Sequence, residues 1–262
     1  MKTIACQLPG FDDSDDKIFV TDHAIVMLDG ASAFVPVPVP PAVYAHELGR
    51  RLSQRLEEAP DHDLAGILAH AIHDVATDLS LERGRSPSST VTILREHAGT
   101  IDILILGDNL VALPGTTLTD DRLSRLDLAP SRHYRHRLAR GAGFDETHRE
   151  TLRQLQSQQA ARRNQEGGYW IAEADPAAAQ HAVTSRFPVG DVPWAVLATD
   201  GAYKPMQYLG LADWPMLAGS EKADLERVLH QCEVWEAFTD PIAAQLPRAK
   251  RHDDKSLAVV HR

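Results

Sequence analysis

Short apolar runs that begin or end in aspartate recur from one end of this 262-residue chain to the other. Asp15-Asp16 precede Lys17-Ile18-Phe19-Val20, and Asp29-Gly30 follow Ile25-Val26-Met27-Leu28. Asp108 follows Ile101 to Gly107, Asp200-Gly201 follow Trp194 to Thr199, and Asp253-Asp254 stand just before Leu257 to Val260. Runs of this length and composition read as strands. Strand ends along one edge of a sheet converge in space, so carboxylates far apart in sequence can meet in one cleft. Hard divalent cations with oxygen ligands, Mg²⁺ or Mn²⁺, suit such a cleft. A single Asp-Gly after a strand is ordinarily a turn. The whole ordered set is what points to a metal site.

Between these punctuation marks the chain alternates strands with helices. Lys17 to Val20 and Ala24 to Leu28 form a hairpin around Thr21-Asp22-His23, and Thr90 to Leu94 with Ile101 to Leu106 form a second one. Val35 to Pro40 alternates Val and Pro and is extended, and Pro41 opens a helix. Ala45, Leu48, Leu52 and Leu56 make one apolar stripe, and Leu64, Ile67, Leu68, Ala71, Ile72, Val75 and Leu79 another. A third helix, capped by Ser220, buries Leu225, Val228, Leu229 and Cys232, with Trp235 and Phe238 extending that face. Gly167-Gly168 before Tyr169-Trp170 reads as a sharp turn into a strand. Strand hairpins followed by helix pairs suggest two stacked antiparallel sheets with helices outside.

Composition narrows the function classes. A net charge of −10 and a pI near 5.7 argue against nucleic-acid binding, which calls for a basic footprint. No run approaches the roughly 18 apolar residues of a membrane span, and Met1 to Pro9 lacks a signal-peptide core. Cys6 and Cys232 are the only cysteines, which fits a reducing cytoplasm and buried thiols. The histidines show no His-x-x-x-His pair on one helix; His252, beside Asp253, is the one closest to the carboxylate set.

Taken in order, Asp15-Asp16, Asp29-Gly30, Ser88-Ser89-Thr90 leading into Ile101 to Asn109, Ala198-Thr199-Asp200-Gly201 and Asp253-Asp254-Lys255-Ser256 resemble the PP2C (PPM) family of metal-dependent Ser/Thr protein phosphatases. The compact bacterial branch is the most similar. The resemblance implies one catalytic domain over residues 1–262, an α+β four-layer α-β-β-α sandwich, with a variable flap at about 114–190. It implies hydrolysis of phosphoserine and phosphothreonine in proteins, the products of a Ser/Thr kinase, by water activated between two Mn²⁺ or Mg²⁺ ions. By the same resemblance Asp29 bridges the ions, the Gly30 carbonyl contributes a backbone oxygen, and Asp200 and Asp253 hold the other ion. Asp15 and Asp16 stand for the family's acidic pair, coordinating directly or through water. Asp108 matches a residue that helps to hold a third, weaker ion. Asp254 stands where the family usually has Asn, which leaves Asp253 and Asp254 as rivals for one role.

Two departures affect substrate binding. The family usually carries an arginine a few residues before its acidic pair that grips the phosphate, yet no arginine precedes Arg50, and Phe11 stands near the expected place. Ala31-Ser32 follow Asp29-Gly30 where bacterial relatives often have Met-Gly-Gly. Ten arginines and no lysine lie between Arg122 and Arg163. They read either as a solvated helix face balanced by Asp145, Glu146 and Glu150 or as a phosphate-facing surface, since the planar guanidinium matches phosphate oxygens. On the second reading Arg162 and Arg163 replace the missing clamp. Two other functions stay open: a pseudophosphatase that binds phosphoproteins without turnover, and a phosphatase of a small phosphoester.

Overall fold

The computed structural model describes residues 1–262. In chain order the strands are β1 (Lys2–Leu8), β2 (Lys17–Val20), β3 (Ala24–Leu28), β4 (Val91–His97), β5 (Thr100–Leu106), β6 (Leu110–Leu113), β7 (Thr116–Thr119), β8 (Val183–Pro188), β9 (Trp194–Ala198) and β10 (Lys255–His261). One sheet has the order β1-β10-β9-β6-β7 and the other β2-β3-β4-β5-β8. Every pairing is antiparallel, with Leu257 opposite Ala198, Lys17 opposite Leu28 and Val91 opposite Leu106.

Alternation along each strand builds the layers. In β3, Ile25 and Met27 face the other sheet and meet Val111, Leu197 and Ala258, while Ala24, Val26 and Leu28 face away. Both faces are therefore buried, which is why the strand reads as a continuous apolar run. The outer face of its sheet is covered by α1 (Pro41–Glu58) and α2 (Leu64–Asp78), through Leu48, Leu52, Leu68 and Ile72. Asp63 caps α2, accepting from the Gly66 N–H at 2.9 Å.

The segment after β7 carries α3 (Arg122–Arg125), α4 (Ala129–Ala139) and α5 (Glu146–Ala160). The last two pack on each other around Tyr134, Leu138, Leu152 and Leu155, a small core separate from the sandwich. On the far side α6 (Asp200–Tyr208), α7 (Trp214–Ala218) and α8 (Lys222–Val234) cover the other sheet through Met206, Leu217, Leu225 and Leu229. The fold is thus α+β, two antiparallel sheets between helical layers. Each buried Leu or Ile in these layers contributes roughly 1.5 to 3 kcal/mol. No helix is long and apolar enough to cross a membrane.

Three strands, β1, β7 and β8, were not expected from the sequence. All are edge strands with one open flank and polar or half-exposed residues, so none shows an apolar run. The Gly167-Gly168 turn leads to isolated bridges at Tyr169 and Ala172 rather than to a strand. The cap of α8 is Glu221, in a reciprocal box with Asp224, while Ser220 bonds back to the Met216 carbonyl. Phe238 does not extend the buried face of α8: a π-turn over Trp235–Thr239 changes the helical phase and leaves it 81% exposed.

Candidate metal centre

The antiparallel registers bring the aspartates to one end of the sandwich. Asp29 leaves β3 at the end where Asp16 enters β2, because Lys17 pairs with Leu28. Asp108 lies just beyond β5 at that same end, since Val91 and Leu106 are opposite each other and Met27 faces Thr92. Asp200 follows β9 and Asp253 precedes β10 beside the Leu257–Ala198 pair. Asp29, Asp108, Asp200 and Asp253 together line a cleft of about 250 Å³, roofed by Tyr134 and Arg135 of α4 and by Leu152 of α5. A larger cavity of about 690 Å³, beside Val35 to Pro38 and Arg163, contains none of these carboxylates. Chemistry, not volume, therefore selects the site.

The motif residues between the aspartates hold backbone in place. Ser89 Oγ donates to the Asp29 carbonyl at 3.0 Å, and the Asp29 N–H donates to Thr90 Oγ1 at 3.0 Å. Thr199 Oγ1 donates to Asp16 Oδ2 at 2.8 Å while accepting the Ser256 N–H at 2.9 Å, which ties β2, β9 and β10 together. Gly30 and Gly201 are required by close approach. A Cβ would stand 2.8 Å from the Asp15 carbonyl at Gly30 and 2.0 Å from the Asp254 carbonyl at Gly201.

The geometry separates Asp253 from Asp254. Asp253 lines the cleft, whereas Asp254 Oδ2 accepts from Ser14 Oγ at 3.0 Å and from the Asp15 N–H. Asp254 therefore braces the turn that carries Asp15 and Asp16. Asp15 itself is half-buried beside Asp253, Asp254 and Lys250.

Crowding and burial work against charge at Asp29, Asp16 and Asp108. Burial, then the carboxylates of Asp16, Asp200, Asp253 and Asp108, push Asp29 well above the usual carboxylate range. Burial lifts Asp16 to about 8 despite its Thr199 hydrogen bond, and burial with Asp200 raises Asp108. Asp200 goes the other way: burial opposes its charge, but the Lys204 ammonium outweighs this and lowers its pKa. Positive charge is what the cluster lacks.

Two lysines that the sequence reading passed over supply part of it. Lys204 Nζ donates to Asp200 Oδ2 at 2.6 Å and reaches Asp108 Oδ2 at 3.3 Å, and Lys250 Nζ donates to Asp253 Oδ1 at 2.8 Å. The signal for Lys204 is its spacing, one helical turn after Asp200. The donor set fits divalent metal: it is all carboxylate oxygen, and buried Asp16 Oδ1 has no hydrogen-bond partner. The four aspartates line one cleft, but no three of them bring carboxylate oxygens within 4.8 Å of one another. The trio of possible ligand groups within 4.8 Å of one another is Glu233, Glu236 and His252, and there the fully buried Lys255 Nζ already donates to Glu233 at 3.1 Å, Glu236 at 2.8 Å and the Asp253 carbonyl at 2.8 Å.

The structure does not bring Arg162 or Arg163 to the cleft. Arg162 is exposed on the turn after α5, and Arg163 lines the larger cavity, where it faces the Tyr169 hydroxyl at 3.4 Å and the Ser86 carbonyl at 3.5 Å. Arg122, Arg125, Arg132, Arg137, Arg149 and Arg153 are each paired with a neighbouring carboxylate, as the solvated-face reading expects. Arg135 lines the cleft and forms no ion pair; its Nε lies 3.4 Å from the Tyr134 hydroxyl. Phe11, near the expected place of the missing arginine, packs edge-on against Phe19 and His46.

No protein-family model and no curated protein sequence matches the chain. Solved structures do match over nearly its full length. A bacterial serine phosphatase aligns with a TM-score of 0.57 at 11% identity, covering 100% of this chain and 97% of its own. The PPM Ser-Thr phosphatase MsPP from Mycobacterium smegmatis, in complex with cacodylate, gives 0.54 at 16% identity, covering 99% and 97%. The Mycobacterium tuberculosis serine/threonine phosphatase PstP/Ppp gives 0.54 at 14% identity, covering 98% and 97%. Identities this low carry the architecture, and the chain has the fold of the PPM Ser/Thr phosphatases.

Proposed function

We propose that this chain is a Mn²⁺- or Mg²⁺-dependent phosphatase that hydrolyses phosphoserine and phosphothreonine in proteins. The observation that carries the reading is the convergence of Asp29, Asp108, Asp200 and Asp253 from separate strand ends into one cleft, on a fold shared with PPM phosphatases. Phosphate-monoester hydrolysis is among the slowest uncatalysed reactions. Divalent ions supply what it needs, Lewis-acid neutralisation of phosphoryl oxygens and a more acidic water.

Asp29, Asp200 and Asp253 hold the ions in this reading, with the Gly30 carbonyl beside them. Asp16 acts from behind through its free Oδ1, and Asp15 through water. The arrangement offers no Ser or Cys nucleophile activated by a histidine, so direct attack by water is the fitting route. The domain is residues 1–262, with the α3–α5 segment as the flap that faces substrate.

Arg135 takes the part of the phosphate clamp. It is the unpaired arginine over the aspartates, and a guanidinium on a phosphate contributes roughly 1.5 to 3 kcal/mol. Arg135→Ala is expected to raise KM or lower kcat/KM by roughly ten- to a hundredfold, whereas Arg162→Ala and Arg163→Ala leave kinetics near wild type. Initial-rate measurements on all three variants decide between the positions.

Phosphate release from a panel of phosphoserine and phosphothreonine peptides, set against small phosphoesters at equal concentration in Mn²⁺, tests the substrate class. Higher kcat/KM on the peptides supports the reading. Preference for a small phosphoester overturns the substrate class. The replacement of the family's arginine by Phe11 favours one second reading, a phosphoprotein-binding pseudophosphatase. Binding of the peptides without release would establish it.

A further inference from the structure

The aspartates of the cleft are unequally supplied with cations. Asp108 and Asp200 leave β5 and β9, strands of different sheets, yet their Oδ2 atoms meet at a single group, Lys204 Nζ, at 3.3 and 2.6 Å. Lys250 engages one carboxylate, Asp253. Lys204 can bridge two because α6 starts at Asp200 and places residue 204 on the same helical face, over the first turn. Tyr203 stands beside it, with Lys204 Nζ 5.9 Å from the ring centroid. The Lys204 side chain is half exposed, and its ammonium lies between the two carboxylates.

Without the lysine, two half-buried carboxylates converging from two sheets would form an oxygen-lined corner of the type that takes a hard divalent ion. An ammonium and a divalent ion cannot share that corner, because they are like charges that require the same oxygens. We infer that Lys204 is a tethered cation that fills the Asp108–Asp200 corner, so that the chain binds one divalent ion fewer than its carboxylates would otherwise take. This rests on the metal-centre reading above and reassigns Asp108: it holds the lysine, and through it the position of Asp200, in place of a separate ion. The corner then keeps a positive charge whatever the metal supply, and the exchangeable ions are those held by Asp29, Asp253 and the Asp200 oxygen that Lys204 does not engage.

Counting bound Mn²⁺ by equilibrium dialysis and metal analysis tests the inference without reference to activity. About two ions per chain are expected in the wild type, as in two-metal centres generally, and one more, weakly held, in Lys204→Met. The double variant Lys204→Met/Asp108→Asn is expected to return to the wild-type count, which locates the added ion. A wild-type count of three, or no increase in Lys204→Met, overturns the inference and leaves the metal centre standing. A wild-type count of zero overturns the metal centre itself and this inference with it. Should Lys204→Met fail to fold, Lys204→Gln serves in its place. Anomalous scattering from Mn²⁺-soaked wild-type crystals gives an independent answer: a manganese peak between Asp108 and Asp200 overturns the inference, and a peak confined to the Asp29 and Asp253 region supports it.

Discussion

Asp29→Asn and Asp200→Asn are each expected to reduce phosphate release at least about a thousandfold while the fold is retained. Each change removes one negative charge from the carboxylate cluster proposed to hold the ions, and Asn keeps the volume and one oxygen. A bound ion supplies several kcal/mol of charge stabilisation to the reacting phosphoryl group, and about 4 kcal/mol corresponds to three orders of magnitude in rate. Asp29 is the more central, with Asp16, Asp108, Asp200 and Asp253 all close enough to raise its pKa. Asp254→Asn makes a sharp comparison. Its Oδ2 accepts from Ser14 Oγ and the Asp15 N–H, and an amide oxygen can accept the same bonds, so activity should stay within roughly threefold of wild type. Circular dichroism of each variant separates lost chemistry from lost fold. Equal loss in Asp254→Asn would show that the two neighbouring aspartates share the ligand role.

Saturating Mn²⁺ is expected to raise the melting temperature by on the order of 5 to 10 °C, and EDTA to reverse it. A ligand present at a hundred times its Kd stabilises by about 2.7 kcal/mol, and a chain of this size gains roughly 2 to 4 °C per kcal/mol. The gain should be larger at pH 8 than at pH 5.5. Asp29, Asp16 and Asp108 have raised pKa values in the metal-free fold, with Asp16 at about 8. Their contribution to metal-free stability is complete below the ordinary carboxylate pKa and is lost as pH rises through the folded value. Cations relieve that loss most where it is greatest. Differential scanning calorimetry at the two pH values, with metal and with EDTA, measures both effects, and melting that metal leaves unchanged at both pH values would rule out a metal site in this cluster.

The buried strands were legible because both faces of β3, β5 and β9 are covered, which leaves continuous apolar runs punctuated by aspartate. The edge strands were not, because half-exposed sequence such as Thr116–Thr119 has no pattern to read. Asp29, Asp108, Asp200 and Asp253 could be gathered from strand ends alone, since antiparallel pairing fixes which ends coincide. The division of labour between Asp253 and Asp254 could not, because it depends on Ser14, some 240 residues away. Arginine density drew the phosphate clamp to Arg162 and Arg163, but density does not report direction: most of that charge is spent on neighbouring carboxylates, and α4 turns only Arg135 over the cleft. Lys204 and Lys250 carry no motif of their own, so only their spacing, three or four residues from a site aspartate, marks them in the sequence.

Phosphate release from a phosphothreonine peptide by chelator-stripped protein, before and after Mn²⁺ is returned, tests the central claim most directly. Carboxylates gathered from separate strand ends are held to work through bound divalent ions. Stripped wild type should release no phosphate above background, and Mn²⁺ should restore release in the wild type and not in Asp29→Asn. Release that survives stripping, or that Mn²⁺ restores equally in Asp29→Asn, would contradict the account.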